Sequence, residues 1–522
     1  ANSNVAIGVD TLNDNTTGDL NTAVGTYALD TNTTASRNTA IGYAAMDANT
    51  TGAFNTAVGA NALDANTTAS NNVAIGYNAL TVNTTGAQNT AIGTECADAV
   101  TTGSNNTAVG YEAAGKLTSG SDNVAMGRAA LLDTTSGASN VAIGVEALEN
   151  NTADENVAVG KHSLRANTSG TKNTAVGHNA LNSVTTSANN TALGYVAGDA
   201  ITTGAANTCI GSSAGTAITT ASNNTIVGSD AGKNATTGLV DSVLVGFQAG
   251  SSGSMGSYTV GVGYNSLYNN EGNNNTGCGY NTLFANTSGA NNTAVGLQAL
   301  DANTSGGDNT AIGLNAMTSA TTGNYNTIVG AASAINSTTA SNNTVVGYQA
   351  GSNITVKSGS MLFGYEANTS SNSASELVIG NSVVGKGDNT GLIYPPGGGG
   401  VHNANNTTTW ATTCDRRIKK NIKDNNTGLD VINKIQVKNF EYRTEDEIVD
   451  FENTASAVVK KEGIQLGVIA QEIETILPNM VKTESTGVKT VDSDNLTWYL
   501  INAVKELSTQ VEELKTKLNE GE

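Results

Sequence analysis

"NVAIG" (residues 4–8), "NTAVG" (21–25), "NTAIG" (38–42), "NTAVG" (55–59) and "NVAIG" (72–76) are one phrase repeated at a step of seventeen residues. The step continues to Gly93, Gly110, Gly127 and Gly144, shortens by one residue at Gly160, and resumes; further one-residue slips accompany Gly246, Gly279 and Gly380. A fixed period over so much of a chain marks a solenoid, whose units bury little alone and gain stability by stacking. Each unit reads N-[TV]-A-[VI]-G, two variable residues, "AL" or another small pair, then a polar turn such as "DANTTG".

Side chains alternate along a strand, so the second and fourth motif residues share one face and Ala takes the other. This predicts a buried Val/Ile ladder, with Asn, Asp, Thr and Gly supplying side-chain hydrogen bonds and positive φ in the turns. At a rise of about 4.8 Å per coil, roughly two dozen coils make a rod on the order of 110 Å long. The fold class expected is therefore mostly β: a repetitive parallel β-roll or β-helix over residues 1–380.

Composition agrees with thin β structure. The 522 residues include 60 Gly, 3 Pro and 4% aromatics, too few large apolar side chains for several globular cores, while 38% hydrophobic content is too high for simple disorder. A net charge of −20 argues against nucleic-acid binding. No apolar run reaches the roughly 18–20 residues that span a bilayer, so no membrane insertion is expected. The chain opens within a repeat and without Met, which suggests a further part upstream.

The shaft offers little chemistry. Cys96, Cys209 and Cys278 are expected to be buried small hydrophobes. Tyr recurs after the motif Gly at Tyr43, Tyr77, Tyr111, Tyr195, Tyr264, Tyr280 and Tyr348, which predicts a stacking ladder rather than a sugar platform. Asp30, Asp47, Asp64 and Asp301 lack the dense oxygen spacing of a calcium loop and read as solvated turn residues. Matches to N-x-[ST], such as Asn15-Thr16-Thr17, follow from the repeat's composition. With three His residues and no recurring catalytic constellation, no enzymatic role, cofactor or metal is expected of the rod.

The strand motif resembles the head repeats of trimeric autotransporter adhesins, although its period of seventeen is longer and Thr often replaces the first Val. That resemblance implies a β-roll made by three chains. It also keeps a bacterial surface adhesin as an alternative, against which stands a C-terminus that reads as a polar coiled coil rather than a membrane anchor.

Residues 381–413 lose the repeat and contain "IYPPGGGG", a neck. Composition then changes: of 24 Lys and Arg, 15 lie from Arg416 onward and 9 before it. Residues 414–522 read as a small α+β domain. "GLDVINKI" predicts a short helix before the β-prone "VKNFEYR", and "QLGVIAQEIETILPNMV" a strand and a helix stopped at Pro478. Leu500, Val504, Leu507, Val511, Leu514 and Leu518 form a coiled-coil seam at alternating steps of four and three. Val at a and Leu at d by themselves favour two strands.

"CDRRIKKNI", "LDVINKIQVKNFEYR", "GVIAQEIETILPNMV" and the terminal helix resemble the intramolecular chaperone domain of endosialidases and other phage tail fibres and spikes. The resemblance implies a virion tail fibre, made in the host cytoplasm and extracellular when mature. Its expected partners are two further copies in a homotrimer, other virion tail proteins, and a host cell-surface receptor or glycan. It further implies a domain that templates folding of the shaft and then cuts itself off before a Ser, with a Lys five residues later as general base. Here Cys414 stands at the Ser position and Lys419 at the base position, so the scissile bond would join Thr413 to Cys414. Two outcomes stay open: a thiolate that cuts, aided by a Lys419 whose pKa its basic neighbours and burial lower, or a site that Cys414 has silenced.

Overall fold

The computed structural model describes all residues except 1–2, 237, 371–373, 396–399, 404–409, 412–415, 417–418, 449–458, 460, 485–486 and 522. The chain divides into two units, Ala1–Thr412 and Thr413–Glu522.

In the first unit each repeat contributes one short strand, from β1 (Val5–Ile7) to β22 (Met361–Phe363), followed by β23 (Leu377–Gly380) and β24 (Gly391–Tyr394). Each strand pairs in parallel with the next, and equivalent residues align: Thr22 with Thr39, Ala23 with Ala40, Val24 with Ile41. The rest of each coil is bonded as well. The N–H groups of Leu29, Thr31 and Thr33 donate to the carbonyls of Ala45, Asp47 and Thr50 in the coil ahead. This is a parallel β-solenoid of 17-residue coils, as the period predicts. After β24 the sheet reverses direction, with β25 (Val401–Asn403) and β26 (Trp410–Ala411) pairing antiparallel.

The interior corrects the expected burial. The motif Ala points inward and the Val/Ile ladder points outward: Ala23, Ala40 and Ala57 are fully buried, whereas Ile41, Ile75, Ile92 and Ile312 are 38–40% exposed. The reason lies across the coil. Leu29, Leu63 and Leu80, four residues after the motif Gly, turn into the interior at 0% exposure and fill it, leaving room opposite only for Ala. These leucines have φ near +52. Each such left-handed L-residue costs about 1–2 kcal/mol and is held by its packing. The positive φ expected of turn-forming polar residues is thus also carried by Leu, and by Tyr27 and Arg37.

In several coils the strand residue and the Leu position trade volume. Where the inward strand residue grows to Cys209, Ile226, Leu244 or Val345, the Leu position of the same coil becomes Gly215, Gly232, Gly250 or Gly351. A Cβ on Gly215 would lie 2.8 Å from Cys209 Sγ, and one on Gly250 2.8 Å from Leu244 Cδ1. The motif glycine is required for another reason. At Gly25, φ is +137 and a Cβ would lie 2.2 Å from the carbonyl oxygen of Gly42 in the next coil.

Two buried asparagine columns complete the interior. Asn21, Asn38, Asn55 and Asn72 each accept on Oδ1 the backbone N–H of the next Asn in line, at 2.9 Å. In the second column the Nδ2 of Asn32, Asn49, Asn66 and Asn83 donates to the preceding Oδ1 at 2.8–3.1 Å. That column stops where Val100, Val184 and Ala320 replace Asn, and there the buried Oδ1 of Asn83, Asn167 and Asn303 has no protein donor. Paired amides offset their desolvation, while an unpaired one does not.

The second unit is small. It holds α1 (Leu429–Ile432), a hairpin of β27 (Lys438–Phe440) and β28 (Gln465–Gly467), α2 (Ala470–Ile476), a second hairpin of β29 (Val481–Thr483) and β30 (Lys489–Val491), and α3 (Leu496–Asn519). Ile473, Leu477 and Met480 are its core, packed by Val431, Ile435, Val468, Val491 and Tyr499. Among the described residues no helix is long and apolar enough to cross a membrane.

Candidate functional site

On the shaft, the structure separates the sequence candidates. Cys96 and Cys209 are buried, and burial pushes each thiol up to about 12. Cys278 corrects the expectation: it occupies the fourth motif position, which faces outward, and is exposed. Tyrosines stack in some consecutive coils, as in Tyr264–Tyr280 at 5.1 Å and 8° and Tyr348–Tyr365 at 5.4 Å, whereas Tyr43 meets Tyr27 edge-on at 5.9 Å and 82°. Tyr77 and Tyr111 have no ring in the adjacent coil and stand singly, about half exposed.

Asp30, Asp47 and Asp64 form an acidic column in successive coils. Partial burial, and then the charge of the preceding Asp, raises the pKa of Asp47 and of Asp64. No group of three or more metal-ligating side chains occurs among the described residues.

Sequence reasoning missed an ion-pair cluster around the shortened coil that ends at Gly160. Glu146 of that coil pairs with Arg128 of the coil before it and, at 3.0 Å, with His162 of the coil after. Arg165 Nε lies 2.6 Å from Glu149 Oε2. The Arg128 hydrogen bond and then the attraction of Arg165 hold the Glu146 carboxyl below its usual range. Opposite charges recurring one coil apart, around the one-residue slip, are the signal that would have found it.

In the second unit, the expected cleavage residues Thr413 and Cys414 lie outside the described residues. Lys419 is described and exposed, as are Arg416 and Lys420; its N–H donates to the Arg416 carbonyl at 3.2 Å. The stretch that follows is fixed. Asn502 Nδ2 donates to the carbonyls of Asn425 at 2.7 Å and Thr427 at 3.2 Å, and the Leu429 N–H donates to Glu506 Oε2 at 2.9 Å. Gly428 makes this approach possible, since a Cβ there would lie 2.3 Å from the backbone nitrogen of Ala503. The segment downstream of the basic run is therefore clamped onto α3. Asn502 and Glu506 carried no sequence signal beyond their place on an exposed helix.

Helix α3 has two working faces. Leu496, Tyr499 and Ala503 turn toward the domain core. Leu500, Val504, Leu507, Val511, Leu514 and Leu518 are all exposed, at 43–77%. A cavity of about 650 Å³ lies beside the helix, lined by Leu477, Pro478, Met480, Trp498 and Ile501.

Residues 414–482 match the model of the family described as "Chaperone of endosialidase". No curated protein matched the chain. The C-terminal unit thus carries a match to this chaperone domain, behind a long β-solenoid, and this combination fits a tail-fibre-type protein.

Proposed function

We propose that the protein is a virion tail fibre or spike whose C-terminal domain gathers three copies, assists folding of the shaft and is cut from it between Thr413 and Cys414. What supports this reading is one juxtaposition: a chaperone domain with an exposed apolar seam follows a solenoid whose coils are nearly interchangeable. Sliding one chain past another by a whole coil sacrifices few contacts, so identical repeats leave register weakly specified. A clamp at one end removes that ambiguity. The shaft's mature partners in this proposal are the two other copies, other tail proteins and a receptor or glycan on the host surface.

Cleavage would proceed by attack of the Cys414 thiolate on the Thr413 carbonyl carbon, Lys419 taking the thiol proton. The C–N bond breaks as the Cys414 amine accepts a proton, and water then hydrolyses the thioester to a Thr413 carboxylate. Lys419 is exposed in one chain, so in this proposal neighbouring copies enclose the site.

Intact mass under denaturing conditions tests the cleavage. Release of residues 414–522 by the parent chain, abolished in Lys419→Ala, supports the Cys–Lys site. A parent that stays whole while Cys414→Ser cuts overturns self-cleavage for this sequence and leaves the chaperone in place.

A further inference from the structure

We infer that the coils between Phe247 and Asn315 carry a binding site for a neutral, extended polysaccharide lying along the shaft. The inference rests on the fibre reading above and deepens it, by placing one class of host glycan on named residues of the rod.

Five successive coils repeat one pair of residues behind the motif glycine. The first residue is large and apolar: Phe247, Tyr264, Tyr280, Leu297 and Leu314, each 42–50% exposed. The second is an amide: Gln248, Asn265, Asn281, Gln298 and Asn315. Elsewhere in the shaft such pairs stand alone, as at Tyr77–Asn78 and Tyr348–Gln349. Large side chains of this kind carry roughly 150–250 Å² each, so the ridge offers on the order of 400 Å² of apolar surface, the size at which exposed patches mark interaction sites.

Recurring aromatics alone read as stacking; two further features point to a ligand. The rings do not close over one another. Phe247 and Tyr264 lie 5.3 Å apart at 20°, and Tyr264 and Tyr280 5.1 Å apart at 8°. Atoms in contact lie about 3.5–4.0 Å apart, so near-parallel rings at the observed separation are offset, and each leaves a strip of its face uncovered. Such strips and the leucine methyls suit the C–H faces of pyranose rings. The amides, in turn, are oriented. Asn265, Asn281 and Asn315 have φ of 51–56, and their Oδ1 atoms are shielded without a protein donor, so each turns its Nδ2 outward. A row of donors beside an apolar ridge fits a ligand rich in acceptor oxygens.

Charge and spacing select the occupant. Between Phe247 and Asn315 the charged residues are Glu271, Asp301 and Asp308, and of these Asp301 adjoins the amide column, bonded to Gln298. With no cation in reach, the site offers nothing to a phosphate or carboxylate. The amides recur once per coil, about every 4.8 Å, whereas side chains on one side of a peptide strand recur about every 6.6 Å. A peptide therefore falls out of step within a few coils. An extended pyranose chain, which advances by about one coil rise per sugar, stays in step.

Native affinity electrophoresis of the full chain, through gels holding mixed-linkage β-glucan, galactomannan or xylan, tests the site, with polygalacturonate as the charged control. The parent should be retarded by a neutral polymer, equally at low and high salt, and not by polygalacturonate. Tyr264→Ala with Tyr280→Ala should raise the apparent Kd roughly tenfold. Leu297→Glu with Leu314→Glu, at exposed positions, should do the same with the circular dichroism unchanged, and Tyr77→Ala should leave binding as it was. A parent that passes all three neutral gels freely, or variants retarded like the parent, overturns the site. Light scattering of the same samples separates the two levels of the account: a trimer that ignores the neutral polymers leaves the fibre reading standing, whereas a monomer that binds them overturns the fibre reading and keeps the site.

Discussion

Gly277→Ala is the sharpest probe of an interior of fixed volume. Gly277 is the inward residue of its strand, where most coils carry Ala, and its backbone is compatible with Ala. A Cβ there would nonetheless lie 2.6 Å from Ser266 Oγ and 2.8 Å from Thr282 Oγ1. Both hydroxyls stand where most coils carry a second Ala, and they are bonded to each other at 2.8 Å, with Ser266 also donating to the Gly277 carbonyl at 3.0 Å. Overpacking a buried site costs about 1–3 kcal/mol, and disturbing the buried hydroxyl pair adds about 1 kcal/mol. Removing a strand glycine returns roughly 0.5–1 kcal/mol. The net expectation is a loss of about 2–3 kcal/mol in the surrounding coils. Because a solenoid opens locally, hydrogen exchange of peptides from those coils reads this loss directly. Exchange should quicken roughly 30- to 150-fold. Adding Ser266→Ala and Thr282→Ala recreates the Ala–Ala arrangement of Ala23 and Ala28, and should bring protection back to that of the parent or better. A neutral Gly277→Ala, or a triple variant no better than the single one, would refute the compensation argument.

Other outcomes follow from the ladders and the clamp. Asn66→Ala removes both the donor to Asn49 Oδ1 and the acceptor of Asn83 Nδ2, while Asn83→Ala at the column's end strands only Asn66 Oδ1; chemical denaturation should show the former less stable by about 1 kcal/mol more. The raised pKa of Asp47 means that the folded shaft favours its protonated form, so this contribution is fully present below the ordinary value of 3.8 and is lost as pH rises through the folded-state value. Asp47→Asn should therefore melt with the parent under acid conditions and increasingly above it toward neutrality. Asn502→Ala with Glu506→Ala releases residues 425–429 from α3, and limited proteolysis should then cut near Asn425 several-fold faster while α3 stays helical by circular dichroism.

The solenoid was legible because "NTAVG" recurs at a fixed step and ends in a glycine that no other residue replaces. Which way the strand faced was not. Period-two alternation separates Ala23 from Thr22 and Val24 but does not say which side is inside; that is decided across the coil by Leu29, whose inward turn needs a left-handed backbone that sequence propensity assigns to Gly or Asn. Asn32 read as a turn residue for the same reason, although it lines the interior. In the second unit the helix containing the heptads was legible from Leu500 to Leu518. The hold of Asn502 and Glu506 on residues 425–429 was not, because it joins segments far apart in sequence through backbone groups that every residue possesses.

The central claim is that the C-terminal domain assembles the shaft. Mass in solution tests it most directly, by light scattering on the full chain and on a chain ended at Thr413, each purified after folding in the cell. The account predicts a trimeric shaft from the full chain and no soluble trimer from the shortened one. A shortened chain that reaches the same trimer unaided, or a full chain that stays monomeric, would contradict it.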